Sequence, residues 1–272
     1  MALIEIRNEK LTVGIDTLGA ELQYLNRFDG KEYLWNGNPE VWKYRAPILF
    51  PFCGDLNEGR YTFEGKEYKL PRHGFARDKE FAFVKDESLI DSEDRSGSKK
   101  AVFVLESDEE THKMYPFDFR LKVIYELEDF ALAVKYEVEN LSEGDMYFSI
   151  GSHEGYRIRG KIEHNSVYTD EIIPLLYDYF EGESDTITDI DPEYTSATLK
   201  MVAKDDYLTV SFGKVESFSI WTKRDAEFIC LEPWHGIPEE KDADADITKK
   251  RGIQKLAAGE SEVYIHTIEI HE

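Results

Sequence analysis

The chain has 272 residues, 41% of them hydrophobic and 13% aromatic, which is enough to bury a large core without disulfides or a metal and excludes a largely disordered chain. A formal net charge of −23 repels phosphate backbones and anionic lipid, so neither nucleic acid nor a membrane is an expected partner. The two cysteines, Cys53 and Cys230, are far apart and each lies in an apolar run; with early N-terminal charges and no membrane-length apolar segment, they fit reduced thiols in a cytoplasmic protein.

Short strands are expected over Leu3 to Arg7, Leu11 to Ile15 and Ala20 to Leu25, with Phe28-Asp29-Gly30-Lys31 as a turn before Tyr33-Leu34-Trp35. From Arg45 to Gly54, Pro47 and Pro51 bracket an apolar run, so this stretch reads as an extended edge or loop against the core. Arg60 to Phe63 and Tyr68 to Leu70 flank Glu64-Gly65-Lys66-Glu67 as a hairpin, and Pro71 to Arg77 leaves it directly. Lys85 to Lys100 is a charged surface loop, and Glu109 to Met114 is long enough for one helical turn.

The clearest periodicity follows. Leu121, Val123, Tyr125 and Leu127 alternate with polar residues, Asp129-Phe130 marks a turn, and Leu132, Val134, Tyr136 and Val138 alternate again. That pattern predicts an antiparallel pair with one wet face. Met146 to Gly151 is a strand running into Ser152-His153-Glu154. Residues 170–198 read as a long acidic excursion, and 239–250 as a mixed-charge loop. Tyr207 to Phe212, Phe218 to Trp221, Phe228 to Leu231 and Val263 to Ile270 complete the strands. Many strands, few helices and no repeat or composition break predict one all-β domain over 1–272, a large antiparallel β-sandwich.

Chemistry concentrates at three places. Phe228-Ile229-Cys230-Leu231 is a buried strand, Glu232 follows it, and Pro233 is expected to stop the ladder because it has no N–H. A carboxylate half-withdrawn from water has a raised pKa, which suits a general base near neutrality, and Trp234 supplies a flat face of the kind that stacks on sugar C–H groups. Taken alone, Glu232 fits equally a strand-end residue that caps a turn or pairs with an arginine. His73 and His153 each sit at a strand exit beside glycine, where backbone can approach a ligand. His112, His164, His266 and His271 lie in polar or alternating contexts and read as structural or solvated, while His235 is within reach of a ligand through its neighbours. Two histidines and one carboxylate admit acid–base catalysis without a metal, or a 2-His-1-carboxylate metal site; the wide sequence separation of all three favours the former.

Arg45-Ala-Pro-Ile-Leu-Phe-Pro-Phe-Cys-Gly54, Arg72-His-Gly-Phe-Ala-Arg77, Met146-Tyr-Phe-Ser-Ile-Gly-Ser-His153 and Cys230-Leu-Glu-Pro-Trp-His-Gly236 together resemble the aldose 1-epimerase (galactose mutarotase-like) family, in its LacX-like branch. The resemblance implies a β-supersandwich and a cofactor-free epimerase that exchanges the α and β anomers of an aldohexose. It implies Glu232 as the base that removes the anomeric hydroxyl proton, His153 as the acid that protonates the ring oxygen, and His73 as a second histidine near that oxygen. Arg45 and Arg77, with Trp234 and His235, are the implied sugar contacts; Arg45, Arg72 and Arg77 would suit a phosphate as well as hydroxyls. One departure stands out: relatives carry proline after the acid histidine, and this chain has Glu154. Glu154 is expected either to keep His153 protonated or to swing its loop away. A catalytically weak sugar-binding protein and a hexose-6-phosphate epimerase are the alternatives on the same scaffold.

Overall fold

The computed structural model describes residues 1–89, 99–160, 165–169, 186–201, 207–223 and 225–271, and the backbone of 172–174. His164, and residues 170–171 and 175–185 of the expected 170–198 excursion, lie outside them. The alternating segments form the pair expected of them: Phe119–Glu128 and Ala131–Asn140 run antiparallel, joined at Asp129, whose φ of 45° makes the tight reversal. Leu121, Val123, Tyr125, Leu127, Leu132, Val134, Tyr136 and Val138 are buried and the residues between them in each strand are half-buried, so one face is committed to the core.

This pair lies inside a nine-stranded antiparallel sheet. Its spatial order is Ile172–Pro174, Ser166–Tyr168, Ser196–Lys200, Tyr207–Phe212, Ser261–His271, Ala131–Asn140, Phe119–Glu128, Lys99–Glu106 and Ala82–Phe83. A second sheet contains Ile150–Gly151, Glu154–Arg157, Phe228–His235, Ser217–Trp221 and Thr186–Ile190. Ile229, Leu231, Phe218 and Ile220 from this second sheet join Leu121, Val123, Val134 and Ile268 from the first in one continuous buried cluster. The architecture is therefore a large antiparallel β-sandwich, as the alternation predicts. Among the described residues the single α-helical element is Glu109–His112, started by a reciprocal pair of bonds between Asp108 and Thr111.

Two local expectations change. The hairpin of Arg60–Phe63 and Lys66–Lys69 turns through Glu64 and Gly65 alone, both at positive φ, so Lys66 and Glu67 belong to the strand. Pro233 does not stop its strand. Phe228–His235 continues for eight residues and carries Glu232 in its middle, 2% exposed, where the sequence suggests a strand exit. The reason lies on the neighbouring strand. In an antiparallel ladder a residue's N–H and C=O point the same way, and the Pro233 carbonyl accepts the Ser152 N–H at 3.3 Å. The missing N–H of Pro233 therefore faces Ser152-His153, the two residues at which pairing lapses between Ile150–Gly151 and Glu154–Arg157.

Candidate active site

That lapse aligns the chemistry. Gly151 is opposite Trp234 and Glu154 is opposite Leu231, so His153 stands directly across from Glu232 on the same face. His153 Nε2 lies 3.4 Å from Glu232 Oε2. Period-two alternation sends Phe228, Cys230, Glu232 and Trp234 to this face and leaves Ile229 and Leu231 for the core. Gly155, opposite Cys230, is needed as glycine because the Trp42 ring rests on it: an added Cβ would lie 2.8 Å from that ring.

His73 arrives from a different part of the chain. It adopts φ of 64°, and Gly74 follows at 72°, a left-handed pair that no side chain adopts without strain unless its surroundings hold it. The hold is a reciprocal clamp: His73 N–H donates to the Gly54 carbonyl at 2.8 Å, and Gly54 N–H donates to His73 Nδ1 at 3.0 Å. With Nδ1 serving as acceptor, a neutral His73 carries its proton on Nε2. Arg72 Nε lies 3.1 Å from that nitrogen. One imidazole cannot accept at both nitrogens while neutral, so this contact sets two N–H groups side by side, an arrangement that an oxygen placed against them would satisfy.

Glu232, His153 and His73 all open into one cavity of about 220 Å³. Their rings and walls are close: His73 and His153 centroids are 5.4 Å apart, and His153 lies 5.1 Å from Trp42 and 5.3 Å from Trp221. Trp234, 5.8 Å from His73, is fixed by its indole N–H, which donates to the Ser152 carbonyl at 3.1 Å. Burial dominates the titration of all three groups. It pushes Glu232 well above the usual carboxylate range, with the nearby Glu154 charge acting in the same direction and Arg72 opposing. Burial, then Arg72 and Arg77, drop His153 to about 3. Burial, with His153, Arg72 and Arg77, holds His73 well below 6.5. All these shifts favour the uncharged forms, so a proton shared by the Glu232–His153 pair is drawn to the carboxyl side, and the partner without it is a base in direct contact.

The remaining expected residues divide. Arg77 lines the cavity, its guanidinium 4.7 Å from the Tyr44 ring and donating to the Arg72 carbonyl at 2.7 Å. Arg45 does not line it; its guanidinium donates to the Gln23 carbonyl at 2.5 Å and packs over Gly37. His235 does not line it either, because it falls on the opposite side of the strand from Trp234, against Tyr264 and 3.5 Å from Glu216. Glu154 takes neither course expected of it. It faces into the sandwich, 3.0 Å from His266, and the strand stays in place. Trp42, Trp221 and Lys223 line the cavity and no motif points to them. Trp221 was accessible through pairing, since it sits opposite Cys230; Trp42 had only its rarity in the polar stretch 36–44 as a signal.

Cys230 Sγ lies within 4.8 Å of the donor atoms of His153 and Glu232, a set with the geometry to meet a cation. Burial and the charges of Glu232 and Glu154 push the thiol upward, so it keeps its proton at neutral pH and is a weak ligand. His73, the second histidine of the 2-His-1-carboxylate alternative, has Nδ1 committed to Gly54.

The family model for aldose 1-epimerase matches residues 2–203. The plasmid-encoded LacX protein of Lactococcus lactis subsp. lactis is 29% identical over 86% of this chain and 88% of its own length. Two solved structures superpose over nearly the whole chain. A galactose mutarotase-like protein from Lactobacillus casei ATCC 334 has 28% identity and a TM-score of 0.89, covering 99% of this chain and 100% of that one. A galactose mutarotase related enzyme from Lactobacillus acidophilus has 27% identity and a TM-score of 0.88, covering 100% and 98%. With the sandwich, the ordered motifs and these matches in agreement, the chain belongs to the aldose 1-epimerase family, among its LacX-like, galactose mutarotase-like members.

Proposed function

We propose that this protein is a mutarotase that opens and recloses the pyranose ring of an aldohexose without a cofactor, using Glu232, His153 and His73. The observation that carries the reading is the 3.4 Å contact between a buried carboxyl and a buried imidazole in a tryptophan-walled cavity. The two oxygens on an anomeric carbon share one atom, so they lie closer together than any hydrogen bond is long. A base and an acid that serve both at once must themselves be near neighbours. Glu232 ionised removes the O1 proton, and its high proton affinity makes it a strong base. In the reactive tautomer the shared proton has crossed from the Glu232 carboxyl to His153, and from there it goes to the ring oxygen. His73 Nε2–H and Arg72 donate toward that oxygen as charge develops on it. After rotation about C1–C2 the same two groups run the steps backwards, and the pair ends with the single proton it began with.

Glu232→Gln keeps volume and removes the base. Polarimetry on freshly dissolved α-aldohexoses is expected to show the rate enhancement reduced by on the order of 10²–10⁴-fold, with the fold intact by circular dichroism. An unchanged rate would remove Glu232 from the reaction.

One observation favours an anionic substrate as a second reading. In a chain of net charge −23, Arg72, Arg77 and Lys223 line the same cavity. A hexose 6-phosphate would meet a local field opposite to that of the whole protein. Arg72→Ala is then expected to raise KM for the phosphorylated sugar far more than for the free one; equal effects on both would favour the neutral sugar.

A further inference from the structure

Behind the Glu232 strand lies a second carboxylate–imidazole pair that the reaction above does not use. Glu154 follows His153 in the chain and therefore points to the opposite face, into the sandwich. There its Oε1 meets Nε2 of His266 at 3.0 Å, with the two side chains 3% and 4% exposed. His266 belongs to Ser261–His271 in the nine-stranded sheet, so the contact joins the two sheets across the core. The second oxygen of Glu154 has no hydrogen-bond partner among the described residues. The titratable groups that the Glu154 charge reaches are Tyr125 and Tyr136 from the large sheet, Tyr156 on its own strand, and, through the sheet, Cys230 and Glu232 of the adjoining strand. His266 is the one group in this set that can carry positive charge.

A buried pair of this kind contributes little net stability compared with apolar side chains of the same size, so its consequence is better sought in what it positions. We propose that Glu154 and His266 are positioning residues for the epimerase site: their contact ties the strand that bears His153 to the facing sheet and holds His153 directly across from Glu232. The proposal rests on the epimerase reading of the cavity. The coupling is steric. His153 lies in the two-residue lapse of the ladder, where the bond from the Ser152 N–H to the Pro233 carbonyl precedes it and the rung from Pro233 is missing, and Glu154 is the first residue beyond that lapse. A strand turned so that Glu154 reached water would turn His153 out of the cavity, because successive side chains alternate. The Glu154 charge also acts on Glu232 from behind and strengthens its hold on a proton.

The test compares wild type with the paired variant Glu154→Leu/His266→Leu, which replaces the couple by apolar groups, and with Glu154→Gln, which keeps a hydrogen-bond partner for His266 and loses the charge. The paired variant is expected to unfold in urea at or above the wild-type midpoint. Its kcat for mutarotation is expected to fall on the order of 10- to 100-fold, the size associated with a small misplacement of a reacting group, with KM changed much less. The alkaline limb of its pH–rate profile should move to lower pH, since Glu232 then releases its proton more readily. Glu154→Gln should recover part of kcat with the limb still displaced. Nitrogen NMR of the His153 ring gives a readout independent of turnover, and both variants should shift its resonances. Wild-type kcat together with wild-type His153 resonances in the paired variant would overturn the proposal. Should the wild-type protein fail to speed anomerisation of any aldose, the epimerase reading falls separately, and unchanged His153 resonances would still overturn the positioning role.

Discussion

Acid is expected to unfold this protein partly through His153, and the size of the effect can be worked out. The imidazole is 7% exposed, and burial with Arg72 and Arg77 lowers its pKa from 6.5 to about 3. The folded chain thus binds this proton more weakly than the unfolded chain, and falling pH favours unfolding. The contribution is complete above pH 6.5 and disappears as pH falls toward 3. Between pH 7.5 and 4.5 the unfolded imidazole gains its proton while the folded one does not, a difference of about 3 kcal/mol in stability. Glu232 titrates in the opposite sense: its folded pKa is raised, so its contribution is present below the unfolded carboxylate value and is lost as pH rises. A Glu232→Gln background removes that opposing term. Urea unfolding in this background, with and without His153→Gln, should show the histidine-containing protein losing about 3 kcal/mol more between the two pH values. Parallel pH dependences in the two proteins would mean that His153 is solvated or already charged in the fold, and the one-proton account of the site would fail.

Three further expectations follow from the same geometry. Gly151→Ala would place a methyl group 2.5 Å from the Trp234 ring and 3.1 Å from Cys53 Sγ; overpacking of this kind costs about 1–3 kcal/mol and should raise KM through the displaced indole, measured by urea unfolding and initial rates. The pH profile of kcat/KM should be broad through neutrality, falling in alkali as the Glu232–His153 pair loses its single proton and in acid, well below pH 6.5, as His73 and His153 become charged. Cys53 and Cys230 are both buried with thiols pushed upward; an aromatic disulfide reagent at pH 8 should react with neither until urea is added, and rapid modification of the native protein would contradict the buried face of the Phe228–His235 strand.

The sandwich was legible where one face of a strand must be dry. The alternation from Leu121 to Val138 carries its own register, because a slip by one residue would expose every apolar side chain. Glu232, His153 and His73 were individually legible as residue types beside strands and glycines, but their meeting depends on pairing between segments about 80 residues apart in the chain, which local pattern does not encode. Pro233 suggests a stop along its own strand, whereas the donor it lacks is missed by the partner. Arg45 and His235 sit within the right motifs and face the wrong way: one reaches back to Gln23 and the other falls on the odd side of an alternation that begins at Glu232. Glu154 adjoins His153 in sequence, yet strand geometry sends it to the other side of the sheet.

The rung omitted at Pro233 has a consequence of its own. Ending a strand to expose a reactive side chain leaves that side chain on a tether, free to wander. Here the backbone is anchored both before and after the omission, by Gly151 opposite Trp234 and by Glu154 opposite Leu231. The facing groups inherit the stiffness of the sheet while the cavity they line stays open. For the proposed epimerisation, in which a sugar presents first one side of its carbonyl carbon and then the other to the same two groups, such a frame leaves the turning to the substrate.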